Sequence, residues 1–296
     1  MALIDVPTLA GKLAQAYPPS VIDVRFRLGG PPRRPEYLEG HIPGAVFLDI
    51  DADLSGPSGP QGRHPLPDPE ALTRVLRGAG VGREHEVVCY DDGDGMAAAR
   101  LWWTLRWAGH PAVSVLDGGF AAWTAQNRPI EPGVAEPSPG DFVTSPGHLP
   151  VLDATAAGEL ARTGVLLDAR TEIRYRGESE PVDPVAGHIP GAVNLPAARL
   201  DAPDGRLLPA ARLREIFEAA GVRPGQPRIR PAGRLAALRT ESKAQVGAYC
   251  GSGITAAKTV LALTEAGFAD AALYVGSWSN WIADTSRPVA TGGGER

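Results

Sequence analysis

Two cysteines are all that 296 residues contain, and so few thiols exclude the disulfide framework of a small secreted protein. Strong charge of one sign is also missing. The formal net charge is −5 and no lysine- or arginine-rich run is long enough to build a basic surface, which argues against a general nucleic-acid binder. No apolar run approaches the ~20 residues that span a bilayer. Met1 to Ser20 has no basic stretch followed by a continuous apolar segment of the kind a secretory leader carries. These absences predict a cytoplasmic protein in a reducing compartment, with small molecules rather than membranes or nucleic acids as partners. What is present is a hydrophobic content of 43% and a length too great for one ordinary core, which suits two domains.

An internal repeat sets the organisation. His41-Ile-Pro-Gly-Ala-Val46 recurs as His188-Ile-Pro-Gly-Ala-Val193, each following an acid and an arginine, Asp23/Arg25 and Asp168/Arg170. Downstream, Gly118 to Trp123 answers Gly276 to Trp281, and Arg128-Pro129-Ile130 answers Arg287-Pro288-Val289. The chain reads as a duplication, with an N-terminal domain at 1–135 and a C-terminal domain at 151–296. The proline-rich region Glu131 to Pro150 lies between them, 136–150 being the linker proper.

Within each half, short apolar strands alternate with helical patterns. The first half predicts strands at 21–24, 46–48, 87–90 and 113–116, with helices at 69–77 and 96–107 and a short one around Trp123. The second predicts strands near 165–167, 193–195, 246–249 and 272–275. This is the signature of an α/β fold with a parallel sheet covered on both faces, whose ligands bind beyond the C-terminal ends of the strands.

Cys250 falls at one of those ends. Val246 to Tyr249 reads as a buried strand, Gly251 and Gly253 permit unusual backbone angles, and Ile254 to Ala266 has helical apolar spacing. Unpaired N–H groups at the start of that helix converge on the sulfur, and the helix dipole adds positive character, so a thiolate is favoured over a thiol. Cys89 lies inside a strand and reads as core. The duplication serves as a control, because features common to both halves serve the fold. His41, His188 and the two Asp/Arg pairs are therefore structural. The first half has Tyr90-Asp91-Asp92-Gly-Asp-Gly95 where the second has the cysteine loop. It has no nucleophile there, yet its face can still supply residues to a cleft between the domains.

The tandem halves, the two His-Ile-Pro-Gly-Ala motifs and Cys250-Gly-Ser-Gly-Ile-Thr255 together resemble the two-domain rhodanese family over nearly the whole chain. The resemblance implies two rhodanese-like domains, each a parallel five-stranded sheet with helices on both faces. It implies an inactive N-terminal copy and a C-terminal cysteine that carries a persulfide, with no cofactor and no metal. The Cys-Gly-Ser-Gly-x-Thr pattern is similar to the 3-mercaptopyruvate sulfurtransferase branch. That likeness implies 3-mercaptopyruvate or thiosulfate as donor, and a thiol, a thioredoxin-like protein or cyanide as acceptor. It further implies Arg174 as donor cation beside Gly251, Gly253, Ile254 and Thr255, Thr255 being also a candidate helix cap. Asp51, His64 and Ser252 become an acid-imidazole-hydroxyl relay.

Two departures bear on the donor. Asp183 stands at or near the place of a second arginine, where an acid would repel a carboxylate, and an extra basic segment, Arg228 to Gln245, precedes the Cys250 strand. A thiosulfate-preferring enzyme, or a non-catalytic sulfur carrier if that segment blocks the site, are the competing readings. Phosphate ester hydrolysis is disfavoured, since Tyr249 precedes the cysteine and Ala256 stands where a phosphate-clamping arginine is needed.

Overall fold

The computed structural model describes residues 2–223, 245–268 and 270–293. The first half runs β1 (Leu3–Ile4), α1 (Val6–Leu13), β2 (Ser20–Asp23), α2 (Arg34–Glu39), β3 (Val46–Phe47), α3 (Pro69–Gly78), β4 (Val87–Tyr90), α4 (Met96–Trp107), β5 (Val113–Leu116) and α5 (Gly119–Ala125). The second half repeats it as β6 (Val151–Leu152), α6 (Ala154–Thr163), β7 (Val165–Asp168), α7 (Glu172–Tyr175) and β8 (Val193–Asn194). After a 3₁₀ turn come α8 (Ala210–Ala219), β9 (Val246–Tyr249), α9 (Ile254–Glu265), β10 (Ala272–Tyr274) and α10 (Ser277–Trp281). Each half forms a five-stranded sheet, ordered β1-β5-β4-β2-β3 and β6-β10-β9-β7-β8, with every pairing parallel.

The central strands β4 and β9 are buried at every position, as parallel strands covered on both faces must be. The predicted strands and long helices are present within a residue or two. Absent from the sequence-based expectation are β1 and β6, edge strands of two residues each, the short helices α2 and α7, and helix α1, which follows β1 as α6 follows β6. Helices α1 and α6 begin at Asp5 and Asp153, whose carboxylates accept from Thr8 N and Ala156 N, each at 2.8 Å, the usual satisfaction of first-turn donors.

Helices α4 and α9 are buried over nearly all of their surfaces, the pattern of helices enclosed on every side. They lie against each other between the halves, and one apolar cluster runs through both, from Ile22 and Trp103 to Leu261 and Leu273. The region after the first half is tied down along it. Phe142 is buried, Gly140 N donates to Arg77 O at 2.8 Å and Ser145 N to Ala108 O at 2.7 Å. The extra segment Arg228 to Gln245 lies, Gln245 apart, outside the described residues.

The features common to both halves hold the loops. Arg25 pairs with Asp23 at 2.8 Å and donates to Gly40 O at 2.8 Å; Arg170 pairs with Asp168 at 2.7 Å and donates to Gly187 O at 2.6 Å. Both pairs are buried, where removing one partner costs about 3–5 kcal/mol. His41 Nδ1 donates to Tyr37 O at 2.9 Å and His188 Nδ1 to Tyr175 O at 2.7 Å, and each ring stacks on that tyrosine. Cys89 is wholly buried, and burial pushes its thiol well above the usual range, so it is inert core.

Candidate active site

Cys250 follows the last residue of β9 and sits in the turn that opens α9. Gly253, the N-cap of α9, has a left-handed φ of 85° and donates its N–H to Cys250 Sγ at 3.1 Å. A Cβ there would stand 2.5 Å from Val275 O and 2.8 Å from Arg100 Nη1, so only glycine brings that N–H onto the sulfur. The cysteine backbone is held by Ser277, whose Oγ accepts from Cys250 N at 3.1 Å, and by Trp278 N donating to Cys250 O at 3.0 Å. Cys250 is only 3% exposed, yet it lines a cavity of about 450 Å³ walled by Gly251, Ser252, Ile254, Thr255 and Arg174, with Phe26 and Met96 contributed by the first half. The sulfur is thus shielded from bulk water but opens into a chamber of the size that holds small ligands.

The first half shows what such a turn is built for. Asp91 follows β4 as Cys250 follows β9, and its carboxylate takes the place of the sulfur. Its Oδ1 accepts from Gly93 N and Gly95 N, and its Oδ2 from Ala98 N, all at 3.0 Å. Burial and then Asp94 push the carboxyl up, to about 7, against the pull of those three N–H groups. The first-half turn directs three N–H groups onto its own carboxyl, while the second-half turn directs one, that of Gly253, onto a sulfur facing a cavity, rather than the several N–H groups expected from the sequence. The alignment of Asp91 with Cys250 carried this signal in the sequence.

The three residues of the expected relay are brought together across the halves. His64 Nε2 lies 2.8 Å from Asp51 Oδ1, and His64 Nδ1 lies 2.7 Å from Ser252 Oγ. A carboxylate can only accept, so Nε2 carries the proton and Nδ1 accepts from the Ser252 hydroxyl. Burial lowers the His64 pKa to about 4; Asp51 opposes this, and Arg100 and Arg63 add to it. The imidazole is therefore neutral at pH 7. The loop that presents it is fastened to the second half by Arg63 N donating to Ser279 Oγ at 3.0 Å and by Asn280 Nδ2 donating to Pro60 O at 2.6 Å.

Arg174 lies in the cavity wall, but its fork is engaged: Nε donates to both Glu180 carboxylate oxygens at 2.9 Å and Nη2 to Asp183 Oδ2 at 3.1 Å. Asp183 is buried, and Arg63 Nη1 donates to its other oxygen at 2.9 Å. Arg63, not singled out in the sequence, thus supplies a second guanidinium from the opposite half; a Cβ on Gly251 would meet Arg63 Nη2 at 3.2 Å and Arg174 Nη2 at 3.5 Å. Asp183, the acid expected to repel a carboxylate donor, lies between the two arginines and engages both. Thr255 is not the helix cap, since α9 has no side-chain cap and Thr255 Oγ1 turns to Met96 Sδ at 3.5 Å.

Tandem parallel α/β domains with Cys250 in the turn after β9, in a cavity completed by residues of the other domain, define a duplicated α/β protein organised around one interdomain cysteine site. A model of the rhodanese-like domain matches residues 6–126 and 153–284, and the chain belongs to the rhodanese family. It is 45% identical over 278 residues to a probable 3-mercaptopyruvate sulfurtransferase of Pseudomonas aeruginosa, 92% of each chain being covered. It is 40% identical to a putative thiosulfate sulfurtransferase, SseB, of Mycobacterium tuberculosis, covering 98% of this chain and 97% of the relative. The crystal structure of the 3-mercaptopyruvate sulfurtransferase SseA from Escherichia coli superposes with a TM-score of 0.77 at 32% identity, covering 94% of this chain and 99% of that one.

Proposed function

We propose that this sulfurtransferase moves a sulfur atom from 3-mercaptopyruvate through a Cys250 persulfide to a thiol acceptor, with cyanide as a substitute acceptor. The Cys250 thiolate attacks the donor sulfur, the carbon–sulfur bond breaks, and its electron pair stays on carbon as the pyruvate enolate. The proton that the donor thiol loses ends on that carbon, leaving pyruvate and Cys250–S–S⁻. An acceptor thiol then takes the outer sulfur and restores the thiolate. In this reading the N-terminal domain, 1–135, supplies Asp51 and His64 to the catalytic domain, 151–296, and the working thiol fits a reducing cytoplasm. No helix among the described residues is long and apolar enough to cross a bilayer.

The observation that carries the choice of donor is the hydrogen-bonded chain from Asp51 through His64 to Ser252. A carbanionic leaving group needs a proton delivered, whereas the sulfite that leaves thiosulfate does not. The cation cluster points the same way: Glu180 and Asp183 offset Arg174 and Arg63, which suits a monoanion better than a dianion.

Two measurements test this. After incubation with each donor, the Cys250 peptide is weighed and kcat/KM is compared. A gain of one sulfur with kcat/KM at least tenfold higher for mercaptopyruvate is expected; preference for thiosulfate would overturn the donor, and no sulfur gain would overturn the function. Asp183→Asn releases both arginines and is expected to lower the KM for mercaptopyruvate by about 2- to 5-fold, the range of a partly screened charge interaction. An unchanged KM would place the donor carboxylate elsewhere.

A further inference from the structure

Four cations are buried among the described residues: Arg25, Arg100, Arg170 and Lys258. Three have carboxylate partners, Asp23, Asp168 and Asp201. Arg100 has none, although it is wholly buried on α4. Its guanidinium reaches across to the second half, where Nη1 donates to Gly253 O at 3.4 Å. Its Nη2 donates to His64 O at 3.0 Å, and its Nε has no partner. A buried cation held only by carbonyl oxygens is costly unless an anion is close by.

The duplication sharpens the point. Arg100 is the fifth residue of α4 and Lys258 the fifth of α9, so the two occupy equivalent places. Lys258 crosses in the opposite direction and donates to Asp94 O at 2.5 Å, in the loop that holds Asp91. Each half thus sends one cation into the anion turn of the other. Lys258 has Asp201 at 2.6 Å to balance it. For Arg100 the balancing group is the turn's own anion, and that turn carries Cys250.

We infer that Arg100, supplied by the half without a nucleophile, is the standing counter-cation of the Cys250 sulfur in both its thiolate and persulfide forms. It is a positioning residue, acting from behind the loop through Gly253. Of the other charges around the sulfur, Arg63 and Arg174 pair with Asp183 and Glu180, Arg170 with Asp168 and Arg33 with Asp92; Arg27 and Asp94 also line the cavity, and His64 is neutral. Burial lowers the Arg100 pKa to about 10, with the Cys250 charge opposing the loss of its proton. The inference rests on Cys250 being the reacting thiol of the proposed transfer, yet it concerns the resting enzyme before any donor arrives.

The test is the thiolate absorbance near 240 nm of the full chain, titrated against pH and corrected with Cys250→Ser. Arg100→Gln keeps a donor for the carbonyls but removes the charge, and is expected to move the midpoint up by about one pH unit or more. Arg100→Lys keeps the charge and is expected to stay within about 0.3 units of the parent. A folded Arg100→Gln with the parent midpoint would overturn the inference. If Arg100→Gln does not fold, the melting temperatures of the parent and Cys250→Ser are compared across pH 5 to 9. An advantage of the parent that grows with pH supports an anionic partner for Arg100, and a flat difference overturns it. Neither readout uses a sulfur donor, so lack of turnover with mercaptopyruvate would sink the proposed function and leave this result standing.

Discussion

Cys250→Ser is expected to lower sulfur transfer from either donor by at least about 10³-fold, the scale seen when a nucleophile is removed from a site whose other parts remain. A serine hydroxyl is not ionised by a single N–H at sulfur distance, and no persulfide forms on oxygen. Because Sγ receives one loop N–H and the backbone on either side is held by Ser277 and Trp278, the substitution leaves the turn in place. The measurement is steady-state turnover together with the mass of the loop peptide after donor treatment. Turnover within tenfold of the parent would show that the sulfur travels by another route.

His64→Ala is expected to cost about 10²- to 10³-fold in kcat with mercaptopyruvate, within the usual range for general acid–base catalysis. With thiosulfate, turnover should change less than about threefold, since no carbon is protonated. Equal losses with both donors would assign His64 a structural role instead. The pH dependence gives an independent check. Ser252 loses its acceptor only when His64 is protonated, and burial holds that pKa at about 4, below the value of 6.5 for a free imidazole. The kcat profile is therefore flat through pH 6 to 7 and falls towards pH 4. An inflection near 6.5 would contradict the buried neutral ring.

The same shift affects stability. Between pH 6.5 and 4 the unfolded chain binds a proton at His64 that the folded chain does not. Acidification through that window therefore destabilises the protein, by on the order of 3 kcal/mol at its lower end, with no contribution at pH 7.

By itself the sequence determined the duplication, the central strands and long helices, and the place of Cys250 in the turn after β9, because these follow from periodic burial and from glycine at turns that tolerate nothing else. The resemblance to rhodaneses added the relay residues and Arg174. The edge strands β1 and β6 escaped, since two residues show no period; the equally short β3 and β8 were legible only because the His-Ile-Pro-Gly-Ala-Val repeat marks them. Only the tertiary structure decided which charges meet. Arg63 and Asp183 come from opposite halves, as do Arg100 and Gly253, and their encounter depends on how α4 docks against α9. Hydrophobic patterning specifies that a helix face is buried. Which atom of the other half arrives beside it is set by the rigid packing of two complete domains, and there Asp183 becomes a bridge between arginines and Arg100 a cation without a carboxylate.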